Sequence, residues 1–125
     1  MAIRRSILKM MVLFILVVGM AAPASAHHGW RWTADGNFEL TGIIQRAELG
    51  NPHGILKVDA DGEIWTVEVG QPWRHDRVGL KDETLSEGTE IIIVGHRSAD
   101  PDEKVVKAER VTVGGRLYNL YPNRD

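Results

Sequence analysis

Apolar and polar residues alternate along much of the chain and predict β-strands. The alternation is regular in 56–60 and again in 65–69, which is the pattern of strands with one buried and one exposed face. Asp61-Gly62 between the two segments is a strong two-residue turn signal. We therefore predict a hairpin, because Asp-Gly accepts the positive φ angles that tight hairpin turns require.

A longer strand is predicted before this hairpin, over Phe38–Leu49. Its apolar residues fall on even positions at the start and on odd positions toward the end. Such a change of phase indicates a bulge or bend, which we place near Gly42 because glycine tolerates irregular backbone. The segment 50–54, Gly-Asn-Pro-His-Gly, is a turn by composition.

One short helix and two further strands complete the pattern. Pro72 opens a helix predicted over 72–78, and Gly79 ends it. Ile91–Val94 is a continuous apolar run, typical of a strand that is buried on both faces or crosses between sheets. The last strand is predicted over Val105–Val113.

The order of these elements predicts a mainly β fold, with three strands, one short helix and two more strands. A curved first strand and a helix between strands 3 and 4 are typical of a small five-stranded OB-like barrel. An open β-sandwich is the alternative, since it also packs two layers around one core. The barrel domain is predicted over 38–125, after an extended N-terminal arm over 27–37.

The first 26 residues have the three parts of a secretory signal peptide. Basic residues lie within 4–9, an apolar stretch over 10–20 follows, and Ala24-Ser25-Ala26 is a small-x-small cleavage site. We expect cleavage after Ala26 and a mature protein that is periplasmic or secreted. No membrane anchor is expected after processing, because the apolar stretch is shorter than the about 20 residues of a membrane span.

Composition narrows the classes of function. Three of the 15 basic residues and none of the 17 acidic residues lie in 1–26, so 27–125 carries 12 basic and 17 acidic residues, a net charge of −5. Nucleic acids attract clustered lysine and arginine, so we expect no nucleic-acid partner. Cysteine is absent, which excludes disulfides, thiol catalysis and cysteine-based metal sites.

Five short features of the chain form one combined pattern. They are His27-His28, Asn51-Pro52-His53, Gly70-Gln71-Pro72, Arg77-Val78-Gly79 and the Gly-x-x-apolar-x-apolar-x-Gly stretch from Gly88 to Gly95. Together they resemble a bacterial family of small exported proteins that is known only as a domain of unknown function. The resemblance spans nearly all of 27–125, although Gly29 stands where serine is commoner. It implies export and a compact β fold, and it brings no established activity.

Cleavage after Ala26 would make His27 the N-terminal residue. Its free α-amine and its imidazole can chelate one metal ion, and a second histidine would complete the T-shaped set of nitrogen ligands called a histidine brace. Such ligands favour Cu(II) among the divalent metals. His28 could contribute in place of His27. We take His53, in the turn after the first strand, as the first choice for the distal ligand and His96 as the second.

The same residues also have structural interpretations. His53 could hydrogen-bond a backbone carbonyl and hold its turn, and His96 could pack at the rim of the core. Trp30 and Trp32 in the arm are candidates for ligand binding, because OB-type barrels bind oligosaccharides and oligonucleotides on one curved face and indoles stack on sugars and bases. The alternative is that these tryptophans pack the arm against the barrel.

These residues suggest two functions, and in both the protein binds a ligand rather than catalysing a reaction as a classical enzyme does. The first is a periplasmic protein that binds copper through its mature N-terminal histidine. The second is a non-enzymatic module that binds a cell-envelope saccharide, a peptide or another small ligand. A copper-dependent oxidase ranks below both, because 99 residues leave little room for a substrate platform. The carboxylates lie in turns or alternate with core residues, so no catalytic residue is assigned.

Overall fold

Six strands form one sheet in residues 29–124, the part of the chain that this computed structural model describes. The strands are β1 (Phe38–Glu48), β2 (Ile55–Ala60), β3 (Glu63–Glu68), β4 (Glu90–Arg97), β5 (Val105–Val113) and β6 (Arg116–Asn119). Between β3 and β4 lie helix α1 (Pro72–Val78) and a short 3-10 helix (Asp82–Leu85). The predicted signal peptide, His27 and His28 lie outside the described residues.

Pairing between β3 and β5 closes the sheet into a barrel. The strand order is β3-β2-β1-β4-β5-β6, with antiparallel neighbours throughout, and β3 additionally pairs with β5 in parallel. The predicted OB-like barrel of five strands with one α-helix between strands 3 and 4 is thereby confirmed, and the open β-sandwich is excluded. The sixth strand, β6, was not predicted; it extends the sheet beyond the barrel by pairing with β5.

The core fills the inside of the barrel from alternate strand positions. In β1, Leu40, Gly42 and Ile44 are buried while the residues between them are exposed, as the pleat of a strand requires. Burying large aliphatic side chains in this way stabilises each by about 1.5–3 kcal/mol relative to exposure. Side chains with no exposed surface include Ile44, Leu56, Val58, Val67, Ile91, Ile93 and Val106.

The bulge of β1 lies at Gln45, so its prediction near Gly42 was wrong. The register of β1 against β2 shifts between Ile44 and Arg46. Gly42 has a different role, because a Cβ atom there would lie 2.5 Å from the carbonyl oxygen of Asp59. The glycine therefore permits the close approach of β1 to β2. The change between even and odd buried positions occurs instead at Gln45, where the register shifts.

Helix α1 covers the predicted residues and has the predicted end. Pro72 occupies its first turn, and Gly79 ends it in the left-handed region at φ 72°, where glycine carries no Cβ penalty. His75 is the buried residue of the helix, whereas Trp73 is 54% exposed. Among the residues that the structure describes, no helix has both the length and the hydrophobicity to cross a membrane.

The N-terminal arm runs beside the end of β4. Residues 29–32 form a turn, and Thr33 makes a single β-bridge with Ser98. The Ala34 amide donates to the Arg97 carbonyl at 2.9 Å, and the Ala99 amide donates to the Trp32 carbonyl at 2.9 Å. These bonds hold the arm against the barrel at the end of β4.

Candidate functional site

Strand β5 is buried on both faces at its centre, and this places charged side chains in the interior. Val106 and Ala108 face the core, while Lys107 and Glu109 point to the opposite side and are 3% and 1% exposed. The second face is covered by the N-terminal arm and by the segment after β6, because the Lys107 side chain donates to the Gly29 carbonyl and the Glu109 carboxylate accepts from Arg124. A buried charged cluster results, outside the barrel core.

One half of this cluster is a carboxylate shared by a lysine and a histidine. Glu68 ends β3 and is the register partner of Lys107 across the parallel seam. Its Oε1 atom lies 3.4 Å from Lys107 Nζ and 3.6 Å from His53 Nδ1. Lys107 Nζ also donates to the carbonyl oxygen of Gly29 at 2.8 Å. The arm, β5, β3 and the turn that carries His53 are thus connected through polar atoms.

The other half of the cluster is Glu109, which is surrounded by positive groups. Its carboxylate lies 3.3 Å from Arg124 Nε and 3.6 Å from Arg110 Nη2. His96 Nε2 is 2.9 Å from Glu109 Oε1 without meeting the geometry of a hydrogen bond, and it is shut off from solvent. His96 Nδ1 donates to the Ala34 carbonyl at 2.9 Å, since a carbonyl can only accept. Both ring nitrogens of His96 therefore face protein atoms.

Trp30 lies over this cluster. Its ring meets those of His96 and Tyr121 edge to face, with centroids 5.5 and 5.1 Å apart. The guanidinium of Arg124 lies 3.7 Å from the centroid of the Trp30 ring, and Lys107 Nζ lies 4.7 Å from it. Trp30 is half-buried by these contacts, so it joins the arm to both halves of the cluster. Trp32, also half-buried, follows it in the arm.

Tyr121 borders the cluster on the side of α1. Burial raises the pKa of its phenol above the ordinary value of 10.0; nearby Arg74 and Arg124 oppose the rise, and Glu68 reinforces it. Arg74 stacks at 3.8 Å from the Tyr121 ring centroid and at 4.2 Å from that of Trp73. The guanidinium also donates to Gln71 Oε1 and to the Leu120 carbonyl, which fixes α1 against the C-terminal segment.

The candidate metal ligands of the described segment are not gathered at one point. His53 and His96 contact different carboxylates, Glu68 and Glu109. Within residues 29–124, no three His, Cys, Asp or Glu side chains are placed to hold one metal ion together. His75, for which the sequence indicates no partner, places Nε2 2.8 Å from the Val69 carbonyl.

Sequence reasoning missed Glu68, Lys107, Glu109, Tyr121 and Arg124. The signal that marks Lys107 and Glu109 is weak, because charged residues alternating with Val106 and Ala108 are also typical of an exposed strand face. What buries them is the arm and the C-terminal segment, which pack onto β5 from far along the chain. Their burial is a property of the tertiary structure and not of the local pattern.

A family model described as "Family of unknown function (DUF6152)" matches residues 15–107. The chain belongs to DUF6152. The match ends at Lys107, so it includes most of the barrel and the first of the two charged residues on the second face of β5. Among curated proteins, none matches this DUF6152 chain. The family assignment agrees with the resemblance seen in the sequence and brings no activity with it.

Solved structures similar to this DUF6152 protein support the fold. One is the crystal structure of the S. pombe Stn1-ten1 complex, at a TM-score of 0.50 and 15% identity, covering 62% of this chain and 57% of that chain. Another is the ZRD-deleted mutant of TiaS in complex with agmatine, at a TM-score of 0.50 and 12% identity, covering 67% of this chain and 26% of that chain. The DUF6152 chain thus spans well under two thirds of either, and the likeness concerns the OB-like barrel alone.

Proposed function

We propose that this protein is exported and that its mature form binds one copper ion through the α-amine and imidazole of His27 together with the imidazole of His53. The single observation that carries the proposal is the series of polar contacts from Gly29 through Lys107 and Glu68 to His53. Amine and imidazole nitrogens are ligands that favour Cu(II) among divalent metals.

The contacts bring the start of the arm close to His53. Their lengths are 2.8 Å from the Gly29 oxygen to Lys107 Nζ, 3.4 Å to Glu68 Oε1 and 3.6 Å to His53 Nδ1. This path is no longer than about three residues of extended chain. Because His27 precedes Gly29 by two residues, about 7 Å of chain at most, the chain is long enough for His27 and the His53 ring to share one metal ion.

Glu68 supplies the outer shell that such a site needs. A histidine that binds a metal commonly places its other ring nitrogen against a carboxylate, which fixes the orientation of the ring and raises its basicity. His53 Nδ1 faces Glu68 Oε1, so His53 would bind the ion through the ring nitrogen remote from Glu68. Lys107 neutralises the same carboxylate and holds the arm at Gly29.

His96 is left out of the proposed ligand set for a structural reason. Its Nδ1 atom is engaged by the Ala34 carbonyl and its Nε2 atom faces buried Glu109. Binding a metal there would require the arm to leave β4. His28 remains the natural substitute for His27, since the two residues are adjacent.

The test is a copper titration, against a competing chelator, of residues 27–125 with a free His27 amine. The comparison protein carries an acetyl group on the α-amine of His27, which removes the amine from chelation and changes no side chain. We expect one-to-one binding that acetylation weakens by more than about 100-fold, because even outer-shell partners contribute 10–100-fold to metal affinity. His53→Gln should weaken binding similarly, and Glu68→Gln by about 10–100-fold.

A synthetic peptide of residues 27–34 is the matched control for adventitious binding by adjacent histidines. It contains both N-terminal histidines but no His53 and no barrel. If the peptide binds copper as tightly as the mature protein, or if acetylation of the His27 amine has no effect, the proposed site does not exist. His28→Gln decides which of the two N-terminal histidines contributes the imidazole.

A further inference from the structure

Helix α1 forms an exposed ridge with Trp73 at its crest. Successive residues of an α-helix are about 100° apart around its axis, so Trp73 lies nearly opposite His75, the buried residue of α1. Trp73 is 54% exposed. Asp76 and Arg77 follow it by three and four residues, which places them one turn further along, on either side of the crest. The ridge therefore carries a carboxylate on one flank and a guanidinium group on the other.

The basic flank extends beyond Arg77. Arg74 Nη1 and Arg77 Nη2 lie 3.0 and 3.1 Å from the same carbonyl oxygen, that of Leu120. Both guanidinium groups face the Trp73 ring, at 4.2 and 5.4 Å from its centroid. Arg116, from β6, donates to the carbonyl of the last helical residue at 3.3 Å. Within residues 29–124, none of these three arginines is in an ion pair with a carboxylate.

The acidic flank extends from Asp76 to the 3-10 helix. Asp82 and Glu83 border the same solvent-open hollow as Asp76, together with Lys81, so three carboxylates stand against one ammonium group. In the described part of the chain, none of the three carboxylates is in an ion pair. Helix α1 thus separates two regions of opposite charge whose charged groups are not paired with each other.

We propose that two copies of the mature protein associate through this ridge into a two-fold symmetric dimer. A two-fold axis that lies in the contact plane and parallel to α1 exchanges the two flanks, so the basic flank of each copy faces the acidic flank of the other. Arg77 of each copy then meets Asp76 of the other, and the two Trp73 side chains lie beside the axis. Such a contact is closed, because the same surface serves both copies.

The composition of the ridge fits this contact. Tryptophan and arginine are enriched among the residues that carry the binding energy of protein interfaces, and guanidinium groups bind carboxylates through two parallel hydrogen bonds. An axis across the helix would bring like charges together, so charge selects one arrangement. A seven-residue helix and its flanks offer a small area, so we expect a weak, reversible dimer. None of these residues belongs to the proposed copper site, so either proposal can fail without the other.

The test is sedimentation equilibrium of the metal-free mature protein, residues 27–125, from about 1 μM to about 1 mM, the range of weak association. We expect a concentration-dependent equilibrium between monomer and dimer. Asp76→Arg and Arg77→Asp should each weaken it at least about tenfold, because each substitution acts twice in the dimer and creates like-charge contacts. Trp73→Ala should weaken it to a similar extent without changing the charge.

An equimolar mixture of Asp76→Arg and Arg77→Asp tests the symmetry directly. One variant carries two basic residues beside the crest and the other carries two acidic residues, so each contact across the mixed pair joins opposite charges. The mixture should form a one-to-one heterodimer at concentrations at which each variant alone is monomeric. Thermal unfolding of the separate variants checks that both are folded.

Glu63→Lys is the matched control, because it changes the net charge as much as Asp76→Arg does. Glu63 is 57% exposed and lies at the opposite end of β3 from α1, so this variant should dimerise like the unchanged protein. The proposal is wrong if the protein stays monomeric at every concentration, if both substitutions weaken the dimer equally, or if two folded variants form no heterodimer. If either charge variant fails to fold, Trp73→Ala decides, since a dimer that it leaves unchanged does not use the ridge.

Discussion

Glu68 and Lys107 face each other across the parallel seam of the barrel, with Glu68 Oε1 3.4 Å from Lys107 Nζ. They are register partners in the pairing of β3 with β5, and their side chains are 7% and 3% exposed. The pair therefore sits where the sheet closes, in a place that water does not reach freely. Two charges in such a place are tolerated only because each compensates the other.

Removing the lysine alone should destabilise the protein strongly. In Lys107→Met, the Glu68 carboxylate remains buried without its main positive partner, and the free energy of unfolding should fall by about 3–5 kcal/mol. Urea denaturation of the mature protein measures this change. Adding Glu68→Gln should recover part of the loss; a double variant as unstable as Lys107→Met alone would show that packing, not charge, holds the seam.

Lys104 provides the matched control for this prediction. Its ammonium lies 3.2 Å from Glu63 Oε2, but the two side chains are 42% and 57% exposed. Ion pairs of this kind contribute about 0–1 kcal/mol. Lys104→Met should therefore leave the unfolding midpoint almost unchanged.

Gly95→Ala should disrupt the pairing of β4 with β5. A Cβ atom at Gly95 would lie 2.0 Å from the Lys107 carbonyl oxygen and 2.9 Å from Ala108 Cα, and backbone on both strands would have to move. We expect a loss of more than about 3 kcal/mol, the upper end for ordinary overpacking, measured by thermal unfolding. Gly50→Ala is the control, because a Cβ atom there meets nothing within 4 Å; an equal loss in both variants would refute the steric argument.

Two neighbouring isoleucines should differ sharply in their contribution to stability. Ile44 has no exposed surface and belongs to the core, whereas Ile43 is 38% exposed. Ile44→Ala should cost about 2–5 kcal/mol through lost burial and a residual cavity. Ile43→Ala should cost much less. Chemical denaturation of the two variants side by side checks the inside-to-outside assignment of β1, which similar losses would contradict.

Tyr121 should make stability fall at alkaline pH. Burial, its largest cause, raises the pKa of the phenol above 10.0 in the folded protein, so the folded state keeps a proton that the unfolded state releases. The stabilisation is complete below the unfolded pKa and is lost as pH rises through the folded pKa. Tyr121→Phe should remove this alkaline loss. A titration of phenolate absorbance in both proteins measures it, and a transition at or below the ordinary pKa would show the expectation to be wrong.

Much of the fold could be predicted because its signals are local. The hairpin turn needs positive φ at Asp61 and Gly62, and both have it, at 54° and 83°. Pro72 and Gly79 mark the two ends of α1 for equally local reasons. The strand β6 could not be recognised, because four residues after a Gly-Gly pair are too few for an alternating pattern to be distinctive.

The position of the bulge shows where local reasoning ends. The change of apolar phase in β1 predicts a bulge, but it does not identify the residue at which the bulge lies. We assigned the bulge to Gly42 because it is a glycine, although its role is to let β2 approach. The bulge at Gln45 follows from the register with β2, which depends on residues well separated in sequence.

The charged cluster could not be predicted from the sequence for a related reason. Lys107 donates to the carbonyl of Gly29, 78 positions earlier in the chain, and the local pattern of apolar and polar residues does not predict a contact over that separation. The proposed ligand His53 could be singled out from its turn, but its neighbour Glu68 could not. A glutamate at the end of an alternating strand looks solvent-exposed until the barrel closes over it.

The stacking of Arg124 on Trp30, at 3.7 Å from the ring centroid, brings the two ends of the described segment together. Domains with adjacent ends commonly tolerate circular permutation. A permutant that joins Asp125 to His27 through a short peptide and opens at the exposed Asp61-Gly62 turn would keep every residue of the barrel. Its N-terminus would lie in the hairpin, so it would retain the fold without the α-amine of His27. The permutant would therefore separate the contribution of the fold from the contribution of that amine.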